Sequence, residues 1–180
     1  VSFLETERLI IRTWMPSDAQ AYAAIILDPD VARHLEPCAP LLRTPEDVGA
    51  WIEAEMDAQE RTGLSRWPLI RKEDRRLIGR CGLHRRADGD VEIGYVIARD
   101  AWGRGYATEA ARAVVRYAFD VAGLPRLWAF VGMRNAASVA VIRRIGGHFD
   151  RVVRACRGEV LRYVIEPPPS AGRRERGDTR

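Results

Sequence analysis

Apolar residues recur along this chain at two periods, and the switches between them mark out its elements. Residues 8–14 alternate as a strand, with Leu9 and Ile11 against Ile10 and Arg12, ending at Trp14. Pro16-Ser17-Asp18 then opens a helix, with Ser17 and Gln20 at capping-box spacing. Ala21, Ala24 and Ile25 form its apolar face, and it stops before Asp28-Pro29. A short turn of helix from Val31 to Leu35 and a proline-bearing loop over 36–43 follow. The next helix is better marked: Thr44 as N-cap, Pro45 at its first position, Glu46 and Asp47 in its first turn. Val48, Trp51, Ile52 and Met56 keep its period until Gly63. Three runs, 65–72, 76–84 and 91–98, are separated by Lys72-Glu73-Asp74-Arg75 and Ala87-Asp88-Gly89-Asp90, which predicts an antiparallel meander. The strongest helical signal comes next, with Ala107, Ala110, Ala111, Val114, Val115, Ala118 and Val121 on one face. A strand at 126–133, a helix from Asn135 to Ile145 and a hairpin of 148–154 with 159–166 complete the pattern. The expected organisation is one α/β domain over 1–166 and a disordered Pro/Arg-rich tail over 167–180.

Composition narrows the function more than the fold. Of 180 residues, 47% are hydrophobic and 30% charged, which suits a globular core and excludes a disordered chain. No apolar run approaches the ~18 residues of a membrane span, so a soluble, cytoplasmic protein with no membrane partner is expected. Cys38, Cys81 and Cys156 are odd in number and widely spaced, which argues against a disulfide framework and against a metal site. The net charge is +4, and part of it sits in the tail, where Arg173, Arg174, Arg176 and Arg180 face Glu175 and Asp178. The body is nearly balanced, so no specific nucleic acid is expected, though ribosome contact through the tail stays open.

Chemistry concentrates in Trp102-Gly103-Arg104-Gly105-Tyr106-Ala107-Thr108-Glu109-Ala110, between a strand and the best helix. Glycines permit a tight turn and a close approach to the backbone. The bare N–H groups of a helix's first turn, at the positive end of its dipole, suit a phosphate. The run lacks both a dinucleotide fingerprint and the Gly-Lys-Ser/Thr of a nucleotide P-loop. Taken alone it also reads as an ordinary strand-to-helix turn.

This segment resembles the pyrophosphate loop, Q/R-x-x-G-x-G/A, of the GNAT family of acetyl-CoA-dependent N-acetyltransferases, and most closely the ribosomal-protein alanine N-acetyltransferase group. Leu4-Glu5-Thr6-Glu7-Arg8-Leu9 resembles that group's opening. Glu92-Ile93-Gly94-Tyr95-Val96-Ile97 resembles its central strand, and Asn135-Ala136-Ala137-Ser138 with Val141, Arg144 and Gly146 its later helix. The resemblance implies a GNAT-type α/β fold: a mixed, mostly antiparallel twisted sheet with helices on both faces. It implies acetyl-CoA as acetyl donor, no metal, and an amine acceptor, either a protein or peptide N-terminus or a small amine such as a polyamine, aminoglycoside or amino-acid-like metabolite. A non-catalytic acyl-CoA-binding or ribosome-associated module is the rival from another class. Monomer and homodimer both remain open.

By the same resemblance, Gly103, Arg104, Gly105, Tyr106, Ala107 and Thr108 form the pyrophosphate loop, and Asn135 contacts pantetheine or serves only as N-cap. Val96 or Ile97 supplies the backbone N–H that holds the oxyanion. Glu92 is the candidate base or a plain strand carboxylate, with His84 or a water chain as the alternative. Ser138 is the candidate support for the departing thiolate. Three departures stand out. Asp100 occupies the Gln/Arg position three residues before Gly103, with Arg99 one place earlier. Ile142 falls where many GNAT enzymes carry a tyrosine. Gly147 replaces a phenylalanine for which Phe149 is a packing substitute.

Overall fold

Two adjoining strands come first. The computed structural model describes residues 2–35, 42–155 and 158–168; most of the expected 36–43 loop and nearly all of the tail lie outside these. Strand β1 (Ser2–Glu5), which the alternation at 8–14 did not reveal, pairs antiparallel with β2 (Leu9–Arg12). A tight turn at 16–18 follows; its N-cap is Met15, and the side chain that closes its capping box is Asp18, not Ser17 or Gln20. The Asp18 carboxylate accepts the Met15 N–H at 2.9 Å and both terminal nitrogens of Arg12 at 2.7 Å, which ties β2 to the next helix. Helices α1 (Ala19–Ile26), α2 (Pro29–Ala32) and α3 (Pro45–Thr62) follow. At α3, Thr44 accepts from Asp47 N–H and Gly63 closes the helix at φ +71°, as the sequence predicts.

The meander is present as β3 (Arg66–Arg71), β4 (Leu77–Arg85) and β5 (Val91–Ile97). Helix α4 (Tyr106–Arg116) widens into a looser turn over 117–121, short of the single long helix its periodicity suggests. Strand β6 (Leu127–Gly132), helix α5 (Ala136–Arg144), β7 (His148–Ala155) and β8 (Gly158–Ile165) complete the chain.

The eight strands form one sheet in the order β1-β2-β3-β4-β5-β6-β8-β7. Every pairing is antiparallel except β5 with β6, which is parallel and registers at a single position, Glu92 opposite Trp128. Helices cover both faces. On β4, the even-numbered Arg80 bonds Tyr22 of α1, while on β5 Tyr95, paired with the odd-numbered Cys81, bonds Ser138 of α5. Trp14, Tyr22 and Trp51 form an aromatic cluster beneath α1 and α3, with ring centroids 5.0–5.6 Å apart. Nearby, α3 is fastened to β3 through Glu55, which accepts from the Arg66 backbone at 2.7 Å, Arg66 Nε at 2.9 Å and Ser65 Oγ at 3.1 Å. Burial pushes the Glu55 pKa up, but Arg66 and these bonds outweigh it and hold the carboxyl below its usual range.

Candidate active site

Beyond the Glu92–Trp128 pair, β5 and β6 part, and the direction of each β5 amide decides which group faces the gap. Ala98 N–H donates to the Ile78 carbonyl of β4 at 2.8 Å. Backbone groups alternate along a strand, so Val96 also faces β4, while Tyr95 and Ile97 face the gap. Two observations agree. A Cβ at Gly79 of β4 would overlap the Val96 carbonyl, which is why a glycine stands there at φ +149°. The Ile97 carbonyl accepts the Trp102 indole N–H at 2.7 Å on the other side. Of the two residues expected to present a free strand amide, Ile97 points its N–H to the gap and Val96 points its N–H to β4.

A cavity of about 1010 Å³ runs along this gap. Glu92, Val96, Ile97, Gly103, Gly105, Tyr106, Ala107, Thr108, Asn135 and Ser138 all line it, so residues spread over some forty-five positions of sequence meet in one cleft. Arg104 does not line it; its carbonyl instead accepts from Arg8 Nη1 at 2.9 Å.

At one end lies the glycine loop. Gly103 and Gly105 have φ of +75° and +82°, a region that penalises any side chain. Gly105 is the N-cap of α4, and no side chain caps that helix, so its first-turn amides are left to an outside acceptor. This bare, positively polarised N-terminus suits the pyrophosphate of acetyl-CoA. The residue that braces the loop was not singled out from the sequence. Arg8 donates to Glu109 through its backbone at 2.9 Å and through Nε at 2.7 Å, and its guanidinium stacks 4.6 Å from the Tyr106 ring centroid. Thr6 Oγ1 bonds the same carboxylate. Burial raises the Glu109 pKa, and these bonds more than reverse it, leaving the group below its usual value. The signal was present in the Thr6-Glu7-Arg8-Leu9 motif, but only the fold brings it to α4. Asp100, standing in the Gln/Arg position, pairs with Arg76 at 2.5 Å, and Arg99 lies over Trp102 and near Asp30.

Across the gap, α5 supplies Asn135 and Ser138. Asn135 Oδ1 accepts from Ser138 N–H at 3.0 Å, so this asparagine is the N-cap of α5 as well as a cavity residue. The Ser138 hydroxyl lies 2.7 Å from the Tyr95 phenol. Ile142 is 1% exposed and does not line the cavity; a Cβ at Gly147 would overlap its side chain. Position 142 therefore belongs to the core, and Gly147 makes room for it. Phe149 does not replace the missing phenylalanine, since it is 53% exposed against Tyr163.

On the opposite face, His84 and Glu92 are directly paired across β4 and β5. Arg86 donates to Glu92 Oε2 at 2.9 Å and lies 4.3 Å from the Phe130 ring centroid, which fixes the carboxylate's direction. His84 stays open to solvent, yet desolvation by its neighbours, and then the Arg66 charge, hold its pKa below 6.5. Asp88 and Asp90 line the same end. His34 also meets the cavity, edge-on to Trp102 at 5.6 Å. Cys81 is fully buried, which pushes its thiol up to about 12 and leaves it inert. Among the described residues no group of His, Cys, Asp or Glu is placed to hold a metal, and no helix is long and apolar enough to cross a membrane.

The sheet is split between two parallel strands, with an uncapped helix N-terminus at one end of the split and titratable groups at the other. Residues 8–148 match the acetyltransferase (GNAT) domain family, and the chain belongs to it. It is 33% identical over 157 residues to the uncharacterized N-acetyltransferase YoaA of Bacillus subtilis, covering 84% of this chain and 85% of that one. It superposes on a GNAT acetyltransferase from Bacillus anthracis with TM-score 0.78 and 26% identity, covering 91% and 97% of the two chains. A ribosomal-protein-S5-alanine acetyltransferase from Vibrio fischeri shares the fold at TM-score 0.77 and 18% identity, over 92% and 96%. The chain is an acetyl-CoA-dependent N-acetyltransferase with the mixed, mostly antiparallel sheet that its motifs imply.

Proposed function

We propose that this enzyme acetylates the N-terminal amine of a protein or peptide by direct attack within a ternary complex. The observation that carries the acceptor class is the shape of the cleft beyond Glu92. Residues of the 86–90 turn (Arg86, Ala87, Asp88, Asp90) and of the β7–β8 hairpin (Arg154, Arg162) line it as well, which supports room for an extended chain end. Asp88, Asp90 and Glu92 at that end offer acceptors to an amine N–H, although Arg86 already pairs with Glu92 and Asp88.

In this reading the first-turn amides of α4 hold the pyrophosphate, and the Asn135 side-chain amide holds the pantetheine arm. The thioester lies in the β5–β6 gap, with its carbonyl oxygen toward the Ile97 N–H, an unpaired strand amide that stabilises the oxyanion. The amine approaches from the Glu92 face, and the thiolate departs toward Ser138 on the α5 face. Attack and departure are thereby separated by the sheet itself, which orders the groups in line. Glu92 receives the amine proton directly or through water, with His84 as the alternative acceptor beside it. The Ser138 hydroxyl supports the charge developing on sulfur.

Thiol release from acetyl-CoA, followed with N-terminal peptides, polyamines and aminoglycosides, tests the assignment. Peptides with a free N-terminus are expected to turn over and their N-acetylated forms not. Turnover confined to small amines would transfer the enzyme to that acceptor class. Binding of acetyl-CoA with no turnover of any acceptor would favour a non-catalytic acyl-CoA-binding module.

A further inference from the structure

Tyr95 closes the Glu-Ile-Gly-Tyr run of β5, and none of the roles above uses it. It lines the cavity on the α5 face, and its phenol lies 3.0 Å from the carbonyl oxygen and 2.7 Å from the hydroxyl of Ser138. Among the described cavity residues of α5, Ser138 is the only one with a hydroxyl, the others being Ala137, Ala140, Val141 and Arg144. A phenol carries a single proton. When that proton points to the Ser138 carbonyl, the 2.7 Å contact requires the serine to donate to the phenol, and the serine proton is turned away from the gap. When the phenol proton points to Ser138 Oγ instead, the serine proton is released toward the gap. The two arrangements differ only by rotation of two hydroxyl hydrogens.

We propose that Tyr95 is a positioning residue which, by donating to Ser138 Oγ, turns the serine proton onto the sulfur as the thioester breaks. The inference rests on the Ser138 assignment above. In this step the C–S bond breaks and its electron pair stays on sulfur. Both O–H bonds remain intact, and the thiolate takes its proton from water on release. Tyr95, Ser138 and sulfur then form two hydrogen bonds in series, each polarising the next in a water-poor site.

The test is Tyr95→Phe, which removes only the hydroxyl. With acetyl-CoA, kcat is expected to fall roughly fivefold, the worth of one ordinary hydrogen bond, while KM for acetyl-CoA is unchanged. In a Ser138→Ala background the same substitution is expected to be silent. An acetyl aryl thioester, whose more acidic thiol needs less support, is expected to lose less rate than acetyl-CoA. An unchanged kcat with acetyl-CoA, an equal fall in both backgrounds or an equal fall with both donors overturns the inference. Should Tyr95→Phe lower Tm, the two-donor comparison made below melting still decides, because a distorted site slows both donors alike. Ser138→Ala that leaves kcat intact, with chemistry rate-limiting, removes the serine assignment and this inference with it. A slow Ser138→Ala beside a silent Tyr95→Phe removes this inference alone.

Discussion

Glu92 and His84 face each other across two strands, so the proposed acceptor site has two neighbouring groups that could take a proton. Arg86 holds Glu92 in a fixed direction, whereas desolvation chiefly lowers the His84 pKa and so favours its neutral form. If Glu92 is the base, Glu92→Gln lowers kcat/KM by ~10²-fold or more, most at low pH, where the acceptor amine is protonated. Initial rates across the pH range for Glu92→Gln and His84→Gln separate the two: a normal profile in Glu92→Gln with a slow His84→Gln reassigns the role. Gly105 is the second residue whose proposed role can be tested. Its φ of +82° makes Gly105→Val strained, with the Cβ set 3.5 Å from Arg8 Nη2. Acetyl-CoA affinity, read by calorimetry, should drop roughly tenfold or more, in line with ~1–3 kcal/mol of backbone strain borne at the binding loop. Both positions were singled out from motif and spacing, and both line the cavity. Tyr95 and Arg8 sat inside quoted motifs too, but their partners, Ser138 and Glu109, are 43 and 101 positions away. No local pattern pairs residues at such separations.

At the level of elements, the helices whose ends carry strong chemistry came out as expected. Thr44, Pro45 and Gly63 bound α3 because a cap, a fixed φ and a left-handed stop act within one turn. The start of α1 did not, because Asp18 answers to Arg12 on the previous strand as well as to its own backbone. The same logic makes Glu55 the fastening of α3 to β3. Glu55→Gln leaves Arg66 without its full countercharge and is expected to cost roughly 3 kcal/mol, read by denaturant unfolding. The wild-type carboxylate is ionised in the fold below the 4.5 of the unfolded chain, so the unfolded state binds the proton first. Its stabilisation is complete above that value and fades as pH falls through the lower folded pKa. Glu55→Gln should flatten that part of the stability–pH curve; an unaltered acid limb would mean that other carboxylates set it.

The molecule as a whole is an eight-stranded sheet opened at one seam, the place proposed for acetyl-CoA. A ligand that binds only the folded state at 100 times its Kd adds about 2.7 kcal/mol, which for a domain of this size raises Tm by about 5–10 °C. Thermal shift with acetyl-CoA should show this, and Gly105→Val should blunt it. The gap-facing amide of Ile97 should exchange hydrogen faster than that of Val96, which faces β4, and slow once acetyl-CoA is bound. Equal exchange at both would contradict the amide directions derived from Ala98 and Gly79.

By itself the sequence determined the order and type of nearly every element, the glycine loop before α4 and the family to which the chain belongs. Those features follow from period, caps and turn residues, whose physics acts within a few positions along the chain. Only the tertiary structure decided that β5 and β6 pair at one residue and then part, that Ile97 and not Val96 faces the gap, and that Ile142 is core. It also decided that Arg8 braces the loop and that Tyr95 meets Ser138. These depend on strand register and on which face of the sheet each helix packs against, and a one-residue change of register would reverse every one of those directions.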